Sequence, residues 1–343
     1  MDTDAFDYDL PIDRIAQQPI HPREAARLLV DSGSATGSQH RYVSDLPGLL
    51  EPGDVVVVND TRVIPARLHL RRSSGAAVEL LLLEEIGPRQ WQALARPSRR
   101  LRPGERLTVE VGEASMAGGG LDAPAVVLGQ ALGEGRWEIV FDAGPPVLDL
   151  LERFGEVPLP PYITARLEDP ERYQTVFARR PGSVAAPTAG LHLSASVLAG
   201  LAERGIGLAT VDLVVGLGSF RPITTAKVED HLMHEEAYRI PEATIEALGR
   251  AKRVVAVGTT VVRTLESWAA TGQAEGRSRL FIRHPYPFAV VDLLLTNFHV
   301  PRSSLLVLVD AFVGPRWRDL YTEALRHPYR FLSFGDAMLL TRS

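Results

Sequence analysis

The chain has 343 residues, 45% of them hydrophobic and 23% charged, the composition of a globular protein of about two domains. It has no cysteine, which excludes disulfides, thiolate nucleophiles, iron–sulfur clusters and cysteine zinc sites. The net charge of −5 gives no global pull towards nucleic acid, residues 1–9 are acidic without the apolar stretch of a secretory signal, and no apolar run reaches the ~18 residues of a membrane span, so a cytoplasmic protein with no membrane partner is expected.

Residues 1–50 read as an entry segment with few strong elements. A turn at Glu51-Pro52-Gly53-Asp54 feeds Val55-Val56-Val57-Val58, a β-branched run suited to a strand buried on both faces. Polar residues from Asn59 onward leave its carboxyl end, where α/β folds often place a site or, equally, a turn. Between residues 66 and 142 the texture changes. Short alternating runs at 67–71, 78–84, 90–95, 107–111, 124–131 and 136–141 are separated by glycine, proline and serine turns, with no helical period between them. That pattern predicts a small antiparallel barrel or sandwich. Two arginine clusters lie in or beside it, one of Arg62, Arg67, Arg71 and Arg72, the other of Arg96, Arg99, Arg100, Arg102 and Arg106. They are a solvated face or a local basic stripe.

An amphipathic helix is expected over 145–154, stopped by Gly155. Pro158, Pro160 and Pro161 then enforce a rigid extended segment that presents Tyr162. Residues 173–177 read as a strand. Residues 181–192, Pro-Gly-Ser-Val-Ala-Ala-Pro-Thr-Ala-Gly-Leu-His, hold small residues that let a backbone approach a ligand closely. Ser194 is placed to cap a helix over 195–204 with Val197, Leu198 and Leu201 on one face. A strand over 206–215 ends in a glycine turn at 216–220. His231 and His234 have a spacing that suits a metal, but a third ligand is missing nearby and no metal is expected. A helix over 241–250 turns Ile245 and Leu248 inward. The strand 253–257 meets Gly258-Thr259-Thr260, which opens a helix over 261–270. Free N–H groups and the helix dipole there favour an anionic or hydroxyl ligand, although Thr260 also suits a plain N-cap. A buried strand over 290–295 exits through Thr296-Asn297-Phe298-His299. Ser303 or Ser304 caps the next helix, another follows at 317–325, and residues 329–336 lead into a last strand.

Alternating strands and helices argue for an α/β domain. The expected fold is a mixed α/β catalytic domain over 1–64 and 156–343, a barrel-like sheet with helices, and an inserted all-β domain over 65–155. GxGxxG, Walker, GxSxG and HExxH motifs are absent. The polar residues His192, His234, Glu236, Gly258 to Thr260, Asn297, His299 and Asp336 instead stand beside predicted element ends, which is how α/β enzymes assemble sites. The residues alone lead to an enzyme that binds a small ligand bearing hydroxyl or carboxylate groups, with RNA as a further partner.

At this point the chain resembles the S-adenosylmethionine:tRNA ribosyltransferase-isomerase family of queuosine synthesis. The matching pieces are Asn59-Asp-Thr-Arg-Val-Ile-Pro-Ala-Arg67, Pro158-Leu-Pro-Pro-Tyr-Ile163, Tyr173-Gln-Thr-Val-Phe177 and Gly182-Ser-Val-Ala-Ala-Pro-Thr-Ala-Gly-Leu-His192. They continue with Asp230-His-Leu-Met-His234, residues 255–267, Thr296-Asn-Phe-His-Val-Pro301 and residues 329–338. The resemblance implies transfer and isomerisation of the ribosyl part of S-adenosylmethionine onto 7-aminomethyl-7-deazaguanine at the tRNA wobble position. Adenine and methionine leave, and neither a metal nor a redox cofactor is needed. It implies proton transfer by His192, His234 and Glu236. Thr188, Ala189, Gly190, Gly258, Thr259, Thr260, Arg263, Asn297 and His299 would hold S-adenosylmethionine. Tyr162, Tyr173, Gln174, Phe220, Arg62, Arg67, Arg99 and Arg100 would meet the tRNA, and the protein is expected to act as a monomer. The chain departs from the family pattern at Val214, Glu235, Ala237, Arg283 and Asp310. The alternatives are a diverged homologue acting on a small-molecule amine and a non-catalytic tRNA-binding protein.

Overall fold

The computed structural model describes residues 1–31, 33, 37–110, 124–214, 222–233 and 235–343. They form two compact units, one of residues 1–62, 160–180 and 186–343, the other of residues 63–159 and 181–185. The segment 181–192 is thus divided between them.

The first unit is a nine-stranded sheet with helices. Its strands are β1 (Arg27–Asp31), β2 (Ser38–Tyr42), β3 (Val55–Asn59), β4 (Gly207–Leu213), β5 (Glu236–Arg239), β6 (Val254–Val257), β7 (Glu275–Ser278), β8 (Leu293–Asn297) and β9 (Ala337–Thr341). Their order across the sheet is β7-β5-β4-β3-β6-β8-β9-β1-β2. The centre is parallel, with Val55 beside Gly207 and Val254, and Val255 beside Leu293. β9 returns antiparallel to β8, Ala337 facing Asn297. The expected mixed α/β sheet with helices is present, but its barrel-like form is corrected: among the described residues this sheet is open, with β7 and β2 as its edges. The expectation of few elements before residue 50 is corrected as well. Residues 27–31 form a strand between β9 and β2, and α1 spans Leu46–Leu49.

The valines of β3 are all buried, as a strand covered on both faces requires. The remaining helices are α2 (Ala195–Glu203), α3 (Glu242–Arg250), α4 (Thr259–Thr271), α5 (Ser304–Val313) and α6 (Trp317–Arg326). Caps follow the local chemistry. The Ser194 hydroxyl accepts from the Val197 amide at 3.3 Å and that of Ser303 from the Leu306 amide at 3.2 Å. In α3 it is Thr244 that is buried, its hydroxyl donating to the Thr210 carbonyl at 2.7 Å, while Ile245 and Leu248 are half-buried. No strand forms over 173–177. Asp169 caps a 3₁₀ turn at Pro170–Tyr173 instead, because its carboxylate accepts from the Glu171 amide at 3.0 Å.

The second unit holds a closed six-stranded antiparallel barrel of Arg67–Arg72, Ala77–Gly87, Gln90–Arg96, Arg106–Val109, Ala125–Gly133 and Arg136–Phe141. Alternation is plain: Leu68 and Leu70 are buried, His69 and Arg71 exposed. A helix, Val147–Phe154, follows, with Val147, Leu150 and Leu151 buried.

Candidate active site

Three parallel strands of the first unit, β3, β6 and β8, end on one side of the sheet, and the pocket opens at two of those ends. It encloses about 680 Å³, open solvent included. Its walls come from Ala186 to Ala189, Gly258 to Thr260 with Arg263, Thr296 to Val300, and Tyr162, Leu305, Leu332 and Ser333. A crevice outside the carboxyl ends of parallel strands is where open α/β sheets bind ligands.

Gly258 is the cap of α4, with φ +92° and ψ 153°. That backbone region is close to glycine-only, so Gly258 rather than Thr260 makes the strand-to-helix turn. Gly190 is needed for another reason. A Cβ there would stand 2.8 Å from Phe177 Cζ and 3.1 Å from Thr175 Cγ2. Leu332, a pocket residue with φ +68°, is held in the left-handed region although it is not a glycine. Its carbonyl accepts from Asn297 Nδ2 at 3.3 Å and its amide donates to the Phe298 carbonyl at 3.2 Å.

Asn297 is the centre of a buried network. The Thr188 hydroxyl donates to its Oδ1 at 2.9 Å. Its Nδ2 faces the carbonyls of Leu332 and Asp336 and, at 3.0 Å, His192 Nε2. Since an amide nitrogen only donates, His192 Nε2 is an acceptor and the ring is a neutral imidazole with its proton on Nδ1. Burial, seconded by the nearby Arg330 and Arg23 guanidiniums, pushes its pKa down to about 3. His192 lines a smaller cavity of about 240 Å³ with Pro19, Arg23, Arg172 and Phe334, not the main pocket. His299 does line the pocket. Its Nε2 meets the Thr296 hydroxyl at 2.9 Å, and burial lowers its pKa to about 3. The Tyr162 hydroxyl pairs with Ser333 Oγ at 2.7 Å, and burial raises its pKa to about 12.

Arg263 is 4% exposed and forms a buried ion pair through Nη1 with Glu236, also 4% exposed. Its Nε donates to the Leu280 carbonyl at 3.2 Å. Nη2 is buried without a hydrogen-bond partner among the described residues, as is Thr260 Oγ1. Unsatisfied buried donors are costly, and here they stand in a pocket wall. One turn further along α4, Glu266 faces away into the fold, accepting from the amides of Ala289, Val290 and Val291 at 2.8–3.1 Å.

The structure therefore brings Thr188, Ala189, Gly258, Thr259, Thr260, Arg263, Asn297, His299 and Tyr162 together around one pocket. Gly190 packs behind it. Tyr173 and Gln174, expected to meet tRNA, are buried at 0% and 5% exposure, with Tyr173 edge-on to Phe334. Burial removes both from any surface an RNA could reach. Arg62 is half-exposed and pairs with Glu171 at 2.5 Å. In the second unit Arg99 and Arg100 are exposed, and Arg67 lies 3.9 Å from Glu79. His234, Phe220 and the turn 216–220 lie outside the described residues. His231 packs edge-on against Phe281. Asn59 has a structural partner set, with Nδ2 on the Leu213 carbonyl and Oδ1 taking the amides of Leu213 and Thr61. Leu332 and Ser333 are pocket residues that the sequence does not single out. They sit in the segment 329–338, but nothing in a single sequence signals a leucine at positive φ.

Two departures from the family pattern have partners. Glu235 pairs with Arg277 at 2.7 Å and Arg279 at 3.4 Å, and Asp310 accepts from Trp317 Nε1 at 3.0 Å.

Comparison with known proteins gives the same answer along the whole chain. The S-adenosylmethionine:tRNA ribosyltransferase-isomerase of Rubrobacter xylanophilus is 52% identical over 341 residues, covering 99% of this chain and 98% of that protein. The protein of that name from Gloeobacter violaceus is 53% identical over 350 residues, covering 98% and 95%. The one from Thermus thermophilus is 49% identical, covering 98% and 99%. Among solved structures, the S-adenosylmethionine tRNA ribosyltransferase of Thermotoga maritima is 34% identical, with a TM-score of 0.54 over 97% of this chain and 99% of that one. The model of a family described as queuosine biosynthesis protein matches residues 3–340, and the chain belongs to that family.

Proposed function

We propose that the protein transfers and isomerises the ribosyl group of S-adenosylmethionine onto 7-aminomethyl-7-deazaguanine at the wobble position of tRNA. Adenine and methionine leave, and the product is epoxyqueuosine-tRNA. The observation that carries this reading is the Arg263 guanidinium, buried in the pocket wall with one nitrogen unpartnered, beside the amino terminus of α4. The one free guanidinium nitrogen, Nη2, and the free helix amides suit the methionyl carboxylate of S-adenosylmethionine. Thr188, Asn297 and His299 then line the ribose and adenine side, and Tyr162 offers a ring to a base.

The sulfonium makes the C5′ protons acidic and is itself the activated leaving group, so the rearrangement draws on no metal or redox group. His192 has its Nε2 lone pair committed to Asn297 and a pKa far below neutrality, so we assign it to holding Asn297 rather than to moving a proton. Glu236 holds Arg263 in place. The neutral His299 imidazole and the hydroxyls of Thr188, Thr259 and Thr260 line a site that must keep water from reactive intermediates. The exposed Arg99 and Arg100 of the barrel unit would meet tRNA phosphates, which gives affinity rather than sequence reading.

The test is release of adenine from S-adenosylmethionine, followed by chromatography, with and without tRNA carrying the deazaguanine precursor. Adenine is expected only with that tRNA. Release with the free amine alone moves the acceptor to a small molecule, and no release under either condition overturns the proposal.

A further inference from the structure

One cluster of titratable side chains has no part in that reading. His40 lies on the edge strand β2, Glu323 on the last turn of α6, and His327 immediately after it. His40 Nε2 is 3.3 Å and His327 Nε2 3.0 Å from the same oxygen, Glu323 Oε1. The two imidazole centroids are 4.3 Å apart. All three ligand atoms lie within 4.8 Å of one another. A tetrahedral ion with nitrogen and oxygen donors at about 2.0–2.1 Å has donor–donor edges of roughly 3.3 Å, so both histidine–glutamate separations already match an edge. The i, i+4 spacing of Glu323 and His327 puts them one above the other at the end of α6.

The other nitrogen of His40, Nδ1, meets the hydroxyl of the buried Tyr329 at 2.9 Å. An outer partner of this kind is what holds a ligating imidazole in orientation. The side chains of His40, Glu323 and His327 are 35%, 31% and 47% exposed, so an ion reaches them from solvent.

We propose that His40, Glu323 and His327 form a three-ligand site for a divalent transition ion of the zinc class, leaving a fourth position to water. Such a His₂Glu set suits zinc or its neighbours and is too soft and too poor in oxygen for calcium or magnesium. The ion would join an amino-terminal edge strand to the carboxyl-terminal helix, so its binding stabilises the folded chain.

The test titrates the chelator-treated full chain with Zn²⁺ by calorimetry and with Co²⁺ by its visible ligand-field absorption. His40→Ala, His327→Ala and Tyr329→Phe are compared with His69→Ala as a control, each checked for native circular dichroism. One Zn²⁺ per chain, a raised thermal midpoint with excess Zn²⁺ and a four- or five-coordinate Co²⁺ spectrum are expected. The two alanine variants at the site should lose about tenfold or more in affinity and Tyr329→Phe about tenfold, while His69→Ala binds as the parent does. Neutral imidazoles donating to Glu323 would give the same geometry without an ion. In that case the parent takes up no Zn²⁺, and the proposal falls. It falls equally if His40→Ala and His327→Ala bind Zn²⁺ with unchanged affinity and Co²⁺ spectrum.

Discussion

In the six-stranded barrel, polar and apolar residues take turns: Arg136 is half-buried, Trp137 buried, Glu138 half-buried, Ile139 buried. In the large sheet, β3, β6 and β8 are buried from end to end, and Asn59, Thr296 and Asn297 are buried with their valines and leucines. The barrel keeps charged groups such as Arg71, Arg99 and Arg100 in water, where each substitution changes stability little. These central strands have taken their polar groups out of water, so each one must be met by a partner or by a ligand. The contrast marks out the candidate site: it lies in the unit whose central strands carry buried polar residues.

The sharpest way to break that comparison is Arg263→Ala. It removes the buried guanidinium that pairs with the Glu236 carboxylate, and a loss of about 3–5 kcal/mol is expected in denaturant unfolding. A loss below about 1 kcal/mol would mean that the pair is not desolvated as the geometry requires. Next comes pH. His192 and His299 have folded pKa values near 3 against about 6.5 in the unfolded chain, so between those limits the unfolded state binds more protons. Their contribution is complete above about pH 6.5 and is lost as pH falls towards 3. From pH 6.5 to 5 each should withdraw about 2 kcal/mol. The slope of unfolding free energy against pH should flatten in His192→Asn if that variant folds, and an unchanged slope would exclude His192 as a contributor. Gly258→Ala tests the turn at the pocket floor. At φ +92° a methyl group costs about 1–3 kcal/mol, and the KM for S-adenosylmethionine should rise with it. The smallest stability effect belongs to the barrel. The double change Arg99→Ala and Arg100→Ala should move unfolding by less than about 0.5 kcal/mol, yet reduce the salt slope of tRNA binding by about 1 for each phosphate left without its arginine. An unaltered slope would remove these arginines from the RNA surface.

Legibility followed the same contrast. Period-two alternation over 67–141 marked the barrel because each of its strands has a wet and a dry face. Ser194 was legible as a cap, and Ser303 as one of two candidates with Ser304, because that chemistry is local. The strands at 27–31 and 38–42 were not, since β2 is mostly exposed and β1 joins the rest of the sheet by pairing with β9, some three hundred residues later in the chain. In the site, Gly258, Thr260 and Asn297 stood out at predicted element ends. Their partners did not. That His192 accepts from Asn297, that Glu236 neutralises Arg263 and that Leu332 sits at positive φ are all products of tertiary packing, which no local pattern encodes.

The Asn297 amide reaches four residues in two stretches of chain, Thr188 and His192 in one, Leu332 and Asp336 in the other. A single side chain so placed makes their openings one event rather than two. In native-state hydrogen exchange, the backbone amides of residues 190–193 and 332–336 should therefore exchange with one common opening free energy, and Asn297→Ala should split them into independent classes.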